Sequence, residues 1–236
     1  MVMLRQATLT QARVVGALML RETRIRYGRS KAGYLWALLE PAAYVTALST
    51  MFHMSGARPP FGNSMALFFS LGILSFFTYR SIAAQLTGAF NANEALLNFP
   101  IVKEIDTIIA RALLEISTMI VVMTLVLSTI IILDDAPLPH SILKMIEAII
   151  GLALFAFGVG LTNAVIITKF QSWQNIYNML SAPLLFTSGV FYSLESLPTN
   201  VRDILAWNPI IHGVETMRDG YFLNYRASAV DISYLY

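Results

Sequence analysis

Five stretches of the chain, at about residues 33–54, 65–86, 107–133, 146–167 and 173–193, are predominantly apolar over the roughly twenty residues that a helix needs to cross a bilayer. Inside lipid every backbone N–H and C=O must be satisfied within its own segment, so runs of this length predict helices and little else. The expected fold is therefore an all-α integral membrane protein with five visible spans. Composition agrees: 56% of residues are hydrophobic and 13% charged, where soluble domains carry about 25% charged. The chain has no Cys, which excludes a disulfide framework, thiolate chemistry and a Cys-based zinc site. No cleavable signal is expected, because the short apolar piece Val14 to Leu20 lacks a small-residue cleavage site after it.

The residues Arg21 to Pro41, RETRIRYGRSKAGYLWALLEP, set the orientation. Five basic residues (Arg21, Arg24, Arg26, Arg29, Lys31) stand against one acid, Glu22, and lead through Tyr34, Leu35 and Trp36 into the first apolar run. That order is how a chain enters a bilayer from the cytoplasm, and each cation near anionic headgroups gains about 1 kcal/mol. Residues 1–32 divide off as a cytoplasmic or interfacial segment. Its helix, about residues 8–30, has Val14, Leu18 and Ile25 on one face and Arg13 and Arg24 on another, and is too short in its apolar part to span. Residues 33–236 form the transmembrane unit.

With the N-terminus inside, eleven Lys and Arg fall on inner segments (Arg5, Arg13, Arg21, Arg24, Arg26, Arg29, Lys31, Arg80, Lys103, Arg111, Lys169) and five on outer ones (Arg58, Lys144, Arg202, Arg218, Arg226). The asymmetry supports that orientation. Several polar residues lie inside spans. Glu40–Pro41 predicts a break facing protein or water, and Arg80 predicts a face turned to a lumen or a partner. Arg111 and Glu115 are four apart and can pair on one helical face. Gly151, Gly158, Gly160 and Asn163 offer small residues for close helix packing. After the fifth span, residues 198–223 read as two short amphipathic helices broken at Asn208–Pro209, a periplasmic or re-entrant segment in which Glu215 and Arg218 can pair across one turn.

The residue patterns of catalysis are missing. Gly28 to Gly33 (GRSKAG) lacks the phosphate-cradling Lys of a nucleotide loop. His53, His140 and His212 are dispersed without metal-ligand spacing, and no H-E-x-x-H or G-x-S-x-G occurs. No metal site, catalytic residue or nucleic-acid partner is expected. Any energy-driven activity must draw on another subunit.

Four pieces together resemble the ABC-2 class of transporter permeases, and among them the inner-membrane permeases of capsular polysaccharide export. They are LRETRIRYGRSKAGYLWALLEP (20–41), NEALLNFPIVKEID (93–106), FTSGVFYSLESLP (186–198) and LAWNPIIHGVETMRDGYF (205–222). The first and last are the most specific, and the likeness covers nearly the whole chain. It implies six spans, so a sixth is expected that residues 1–236 do not show. It implies a homodimer with two cytoplasmic ATPase subunits that bind ATP and Mg, so that this chain carries no cofactor itself. It also implies a lipid-linked acidic polysaccharide as cargo, a bacterial inner-membrane setting, and partners such as a periplasmic polysaccharide co-polymerase and outer-membrane export proteins.

On that footing the expected cargo or lipid-headgroup residues are Arg21, Arg24, Arg26 and Arg80. The expected channel or gate residues are Trp36, Glu40, Tyr192 and Trp207. The expected ATPase-coupling residues are Asn91, Glu94, Leu97, Phe99 and Pro100, a short cytoplasmic helix with an apolar knob. Rival readings are an ABC-2 permease for O-antigen, teichoic acid or another lipid-linked cargo, a non-transporting membrane subunit, and a membrane-embedded glycan or lipid enzyme. Against the last, Glu40, Glu115 and Glu147 lie on separate spans with no His or Asp beside them.

Overall fold

The computed structural model describes residues 2–27, 33–90, 103–225, 227 and 230–235, and the regular structure over them is helical throughout. The helices are α1 (Val2–Tyr27), α2 (Gly33–Met54), α3 (Met65–Thr87), α4 (Glu104–Leu133), α5 (Ile142–Lys169), α6 (Trp173–Thr187), α7 (Thr199–Leu205) and α8 (Pro209–Tyr221), with single 3-10 turns at Leu194–Ser196 and Ile232–Leu235. Among the described residues, four helices are long and apolar enough to cross a membrane: Leu35–Met54 of α2, and the whole of α3, α4 and α5.

α3 is the centre of the bundle. Its apolar window is 83% buried, whereas that of α2 is 11% buried. Phe68, Phe69, Leu71, Ile73, Leu74 and Ile82 all lie in the core. A helix apolar on every face has no solvent side to keep, so α2, α4, α5 and α8 all pack on it. Its polar residues do not disturb that burial, because Ser70, Ser75 and Thr78 donate to the carbonyls of Leu67, Leu71 and Leu74 in their own helix. Ser64 starts α3 by accepting the Leu67 N–H at 3.1 Å, and Ser141 starts α5 by accepting the Lys144 N–H at 3.4 Å.

α5 approaches α3 most closely at Gly160, where an added Cβ would lie 2.7 Å from Leu86 Cβ and 3.0 Å from the Ala83 carbonyl oxygen. Gly158, grouped with it in the sequence pattern, has nothing within 4 Å and takes no part in this seam. We expect Gly160→Val to lower the melting temperature of the purified protein clearly, at about 1–3 kcal/mol for a forced overpacking, and Gly158→Ala to leave it near wild type. Equal behaviour of the two variants would place the seam elsewhere.

The fifth expected span is shorter than its apolar pattern. α6 has 15 residues, or about 22 Å at 1.5 Å per residue, against a hydrocarbon core of about 30 Å. Pro183 lies inside it, and the chain turns away at Ser188 and at Gly189, whose φ of 72° suits glycine. The N-terminal helix also differs from its expected face. Val15 and Leu18 are buried against Ala110 of α4, while Ile25 is 55% exposed. The helical face that docks is thus Val15, Leu18 and Glu22, three and four residues apart in turn.

Candidate functional site

α8 is built to be held from all sides. Asn208 caps it by accepting the Ile210 N–H at 3.1 Å, and Pro209 occupies the first turn, where a missing N–H costs nothing. The helix lies against α3 and α5. An added Cβ on Gly213 would run into the Leu152 side chain, and one on Gly220 would lie 2.9 Å from the Met145 backbone nitrogen. Leu152 is about 15 Å into α5 from the start of that helix and Met145 about 5 Å. α8 therefore runs from about 15 Å along α5 back to the end that carries residues 134–141, enclosed by protein.

One polar cluster locks it there. Arg218, fully buried, donates from Nη1 to the carbonyls of Gly189 at 2.7 Å and Tyr192 at 2.8 Å and to Glu215 Oε1 at 2.9 Å. Its Nη2 donates to the Val190 carbonyl at 2.9 Å, and the guanidinium carbon lies 3.8 Å from the centre of the Phe68 ring. Glu215 accepts the Tyr225 hydroxyl at 2.8 Å and the Leu194 N–H at 3.4 Å. The pair foreseen across one turn thus exists, but it also pins residues 189–194 under α8. Gly72 of α3 makes room, since a Cβ there would sit 2.8 Å from Arg218 Nη2. At the start of α8, His212 joins Ala206 O through Nε2 at 2.8 Å and accepts the Asp231 N–H on Nδ1 at 3.1 Å, an arrangement that needs the neutral ring with its proton on Nε2.

A second cluster holds α1 to the other end of the bundle. Arg111 of α4 meets Glu22 of α1, with Nη2 and Nε both 3.0 Å from Oε1, and its Nη1 donates to the Gln85 carbonyl at 3.2 Å. Both side chains are nearly buried, at 11% and 12% exposure. Gln11 donates to Asp106 at 2.9 Å, and Asp106 also accepts the Lys103 N–H at 3.2 Å at the start of α4. Arg111, four residues from Glu115 on its own helix, thus forms an ion pair between helices.

A third pair is half-exposed. Glu40 and Arg80 stand 3.6 Å apart, at 54% and 41% side-chain exposure, with Arg80 also over the Phe77 ring at 5.4 Å. Each is seven residues from its helix end on the α1 side, so the two charges sit at one depth, about 10 Å into the bundle. Sequence reasoning had assigned them to different roles; the structure brings them together.

The remaining expected residues are dispersed. Trp36 and Trp207 are 68% and 79% exposed. Tyr192 is half-buried, its hydroxyl donating to the Phe186 carbonyl at 3.0 Å. Arg24 is exposed and Arg21 half-buried on α1. The side chain of Arg26, and all of Asn91, Glu94, Leu97, Phe99 and Pro100, lie outside the described residues. The partner of Arg111 was missed, yet it carried a signal: Glu22 continues the helical face of Val15 and Leu18 and is the one acid in a basic run.

Four helices long and apolar enough to cross a membrane, a short helix anchored among them by a buried ion pair and a basic helix across one end give the architecture of a multi-pass membrane protein. The chain matches the ABC-2 type transporter family over residues 13–222 and belongs to it. It is 34% identical over 233 residues to the polysialic acid transport protein KpsM of Escherichia coli, covering 99% of this chain and 90% of that one. To the capsule polysaccharide export inner-membrane protein BexB of Haemophilus influenzae it is 33% identical over 218 residues, covering 92% and 82%. To the corresponding protein CtrC of Neisseria meningitidis serogroup A it is 30% identical over 217 residues, again covering 92% and 82%.

Proposed function

We propose that this chain is the membrane-spanning permease of an ATP-driven exporter that carries a lipid-linked acidic capsular polysaccharide out across the inner membrane. The observation that carries the reading is similarity along almost the entire chain to capsule-export permeases. The N-terminus is cytoplasmic, in keeping with eleven basic residues on inner segments against five outside. The crossing that begins with α6 is completed through the turn at residues 188–193, giving five spans, and α1 rests in the inner interface.

The permease works as a homodimer. α2 and α6 present large apolar side chains outward, among them Trp36, Met51, Met179 and Phe186, and these faces suit a second copy and the lumen between the two. Glu40 and Arg80 stand at the edge of that surface, and Trp207 and Tyr192 belong to the outer gate. Arg21, Arg24 and Arg26 meet acidic groups of the cargo or of lipid headgroups. ATP and Mg are bound by two ATPase subunits that dock on residues 91–104, and this chain is not itself catalytic. Periplasmic and outer-membrane partners take the polymer onward.

Deleting the gene in an encapsulated Gram-negative host should abolish surface capsule and leave lipid-linked polymer in the cytoplasm, with both restored by a plasmid copy. Intact capsule, or loss of a different surface glycan, would overturn the assignment of cargo.

A further inference from the structure

We propose that Arg80 selects for an acidic glycan by offering its guanidinium to a sugar carboxylate, which displaces Glu40, the counter-ion held there while the path is empty. The proposal rests on the reading that the cargo is an acidic polysaccharide, and it names the side chains that recognise the acid.

Depth is the first observation. Arg80 lies 15 residues from the start of α3 at Met65, and Glu40 lies 14 residues from the end of α2 at Met54. Each is thus about 21 Å or slightly more from the helix end remote from α1. Ala83, one turn from Arg80, meets Gly160, and Gly160 is nine residues, or about 13 Å, from the end of α5 at Lys169. Arg80 is about 4 Å farther along, which puts it near the middle of the 28-residue α5. The guanidinium does not reach back towards the α1 side. It lies over the ring of Phe77, 5.4 Å from its centre and three residues farther in. An ion pair at that depth with 41% and 54% side-chain exposure is costly against lipid and fits a water-filled path.

The second observation is how loosely the two charges are held. In the pairs that lock α8 and α1, nitrogen and oxygen stand 2.9 and 3.0 Å apart, with at most 12% of any side chain exposed. Glu40 and Arg80 meet through one nitrogen and one oxygen at 3.6 Å, longer than a hydrogen bond. Such a pair is open to exchange. A sugar carboxylate can take the place of Glu40, because its two oxygens match two N–H groups of the planar fork. A neutral sugar brings no charge to exchange and leaves Glu40 where it is. Tyr44, one turn from Glu40 and 42% exposed, packs edge-on against Phe77 at 5.3 Å and adds an aromatic surface beside the charges.

The test takes the full chain in lipid nanodiscs and measures binding of a short sialic acid oligomer against a dextran oligomer of equal length. The wild type should prefer the sialic acid oligomer. Arg80→Gln should weaken that binding about tenfold, and Arg80→Lys, which keeps the charge without the fork, should weaken it less. Glu40→Gln removes the competing carboxylate and should strengthen the same binding about threefold. Dextran binding should respond to none of the three. Opposite signs at the two positions are the signature. A pair that only fastens α2 to α3 would be harmed alike from either side, and the melting temperature would fall in both variants. Equal loss from Arg80→Gln and Glu40→Gln, full binding by Arg80→Gln, or no preference in the wild type would overturn the proposal. The deletion host separates this claim from the cargo assignment: intact capsule together with Arg80-dependent binding would overturn that assignment and leave the selectivity standing.

Discussion

Arg218→Met is expected to unseat α8 and abolish export, with a loss of about 3–5 kcal/mol, the range for breaking a buried ion pair from one side. The arginine supplies four hydrogen bonds of 2.7 to 2.9 Å, three of them to backbone carbonyls that have turned away from α6. Without it the carbonyls of Gly189, Val190 and Tyr192 lose this donor at a depth where water is scarce, and Glu215 becomes a buried carboxylate without its cation. Lys cannot substitute, because an ammonium on a single stem does not span carbonyls that the planar guanidinium reaches from two nitrogens. Glu215→Gln should be milder, since the amide oxygen in the place of Oε1 still accepts from Arg218, while the amide N–H₂ in the place of Oε2 meets the Tyr225 hydroxyl as a donor. The double change Glu215→Leu with Arg218→Met should recover part of the loss, because it removes the stranded charge and leaves only the carbonyls unserved. Thermal unfolding of the detergent-solubilised variants, together with surface capsule in the deletion host, gives the ranking. An Arg218→Met protein that melts and exports like wild type would show that residues 189–194 are held by something other than this cluster.

The places and order of the four long apolar helices could be read from run length, because in lipid the alternatives to a helix are closed off; the fifth run, expected as a span, forms only the 15-residue α6. Which helix would be central could not. α2 and α3 are of similar apolarity, yet one is 11% and the other 83% buried. A lipid tail and a neighbouring leucine are equally apolar, so the sequence has no reason to mark the difference. The glycine seam shows the same limit more finely. A seven-residue spacing put Gly158 on the face of Gly151, which meets Leu235, but the backbone of α3 meets Gly160, nine residues from Gly151 and so on the opposite side of the helix.

Charged residues were legible in part, in proportion to how local their partners are. Glu215 and Arg218 are one turn apart on one helix, so spacing alone found them. Glu40 and Arg80 are on different helices, and each reads as an isolated cost until equal depth from the same end is noticed. Gly189, Val190 and Tyr192 could not be found as acceptors at all. They take part through backbone carbonyls, which every residue has, and what exposes them is the early end of α6 at Thr187. The apolar pattern continues past that point, so the sequence extended the helix where Gly189 and the α8 cluster end it.

The second large effect is expected at Glu22 and Arg111. Glu22→Arg should release α1 from the bundle, because it places two cations against each other where a carboxylate and a guanidinium now meet at 3.0 Å with 12% and 11% exposure. Arg111→Glu should do the same from the other side, and it also adds a second acid one turn from Glu115 on α4. A loss of about 3 kcal/mol, the lower end for a pair not wholly removed from water, would leave Gln11 to Asp106 and the small Val15, Leu18 and Ala110 cluster to hold α1. With its one buried ion pair turned repulsive the basic helix should loosen, so limited trypsin should cut at Arg21 or Arg24 faster in either single variant than in the wild type. The double swap, Glu22→Arg with Arg111→Glu, restores opposite charges at the same place and should regain most of the protection. A residual deficit of about 1 kcal/mol should persist, since Arg111 Nη1 now serves the Gln85 carbonyl at 3.2 Å and a glutamate there cannot. Equal protease sensitivity of the double swap and the single variants would show that each residue acts through some other neighbour, and that α1 is held by its apolar face alone.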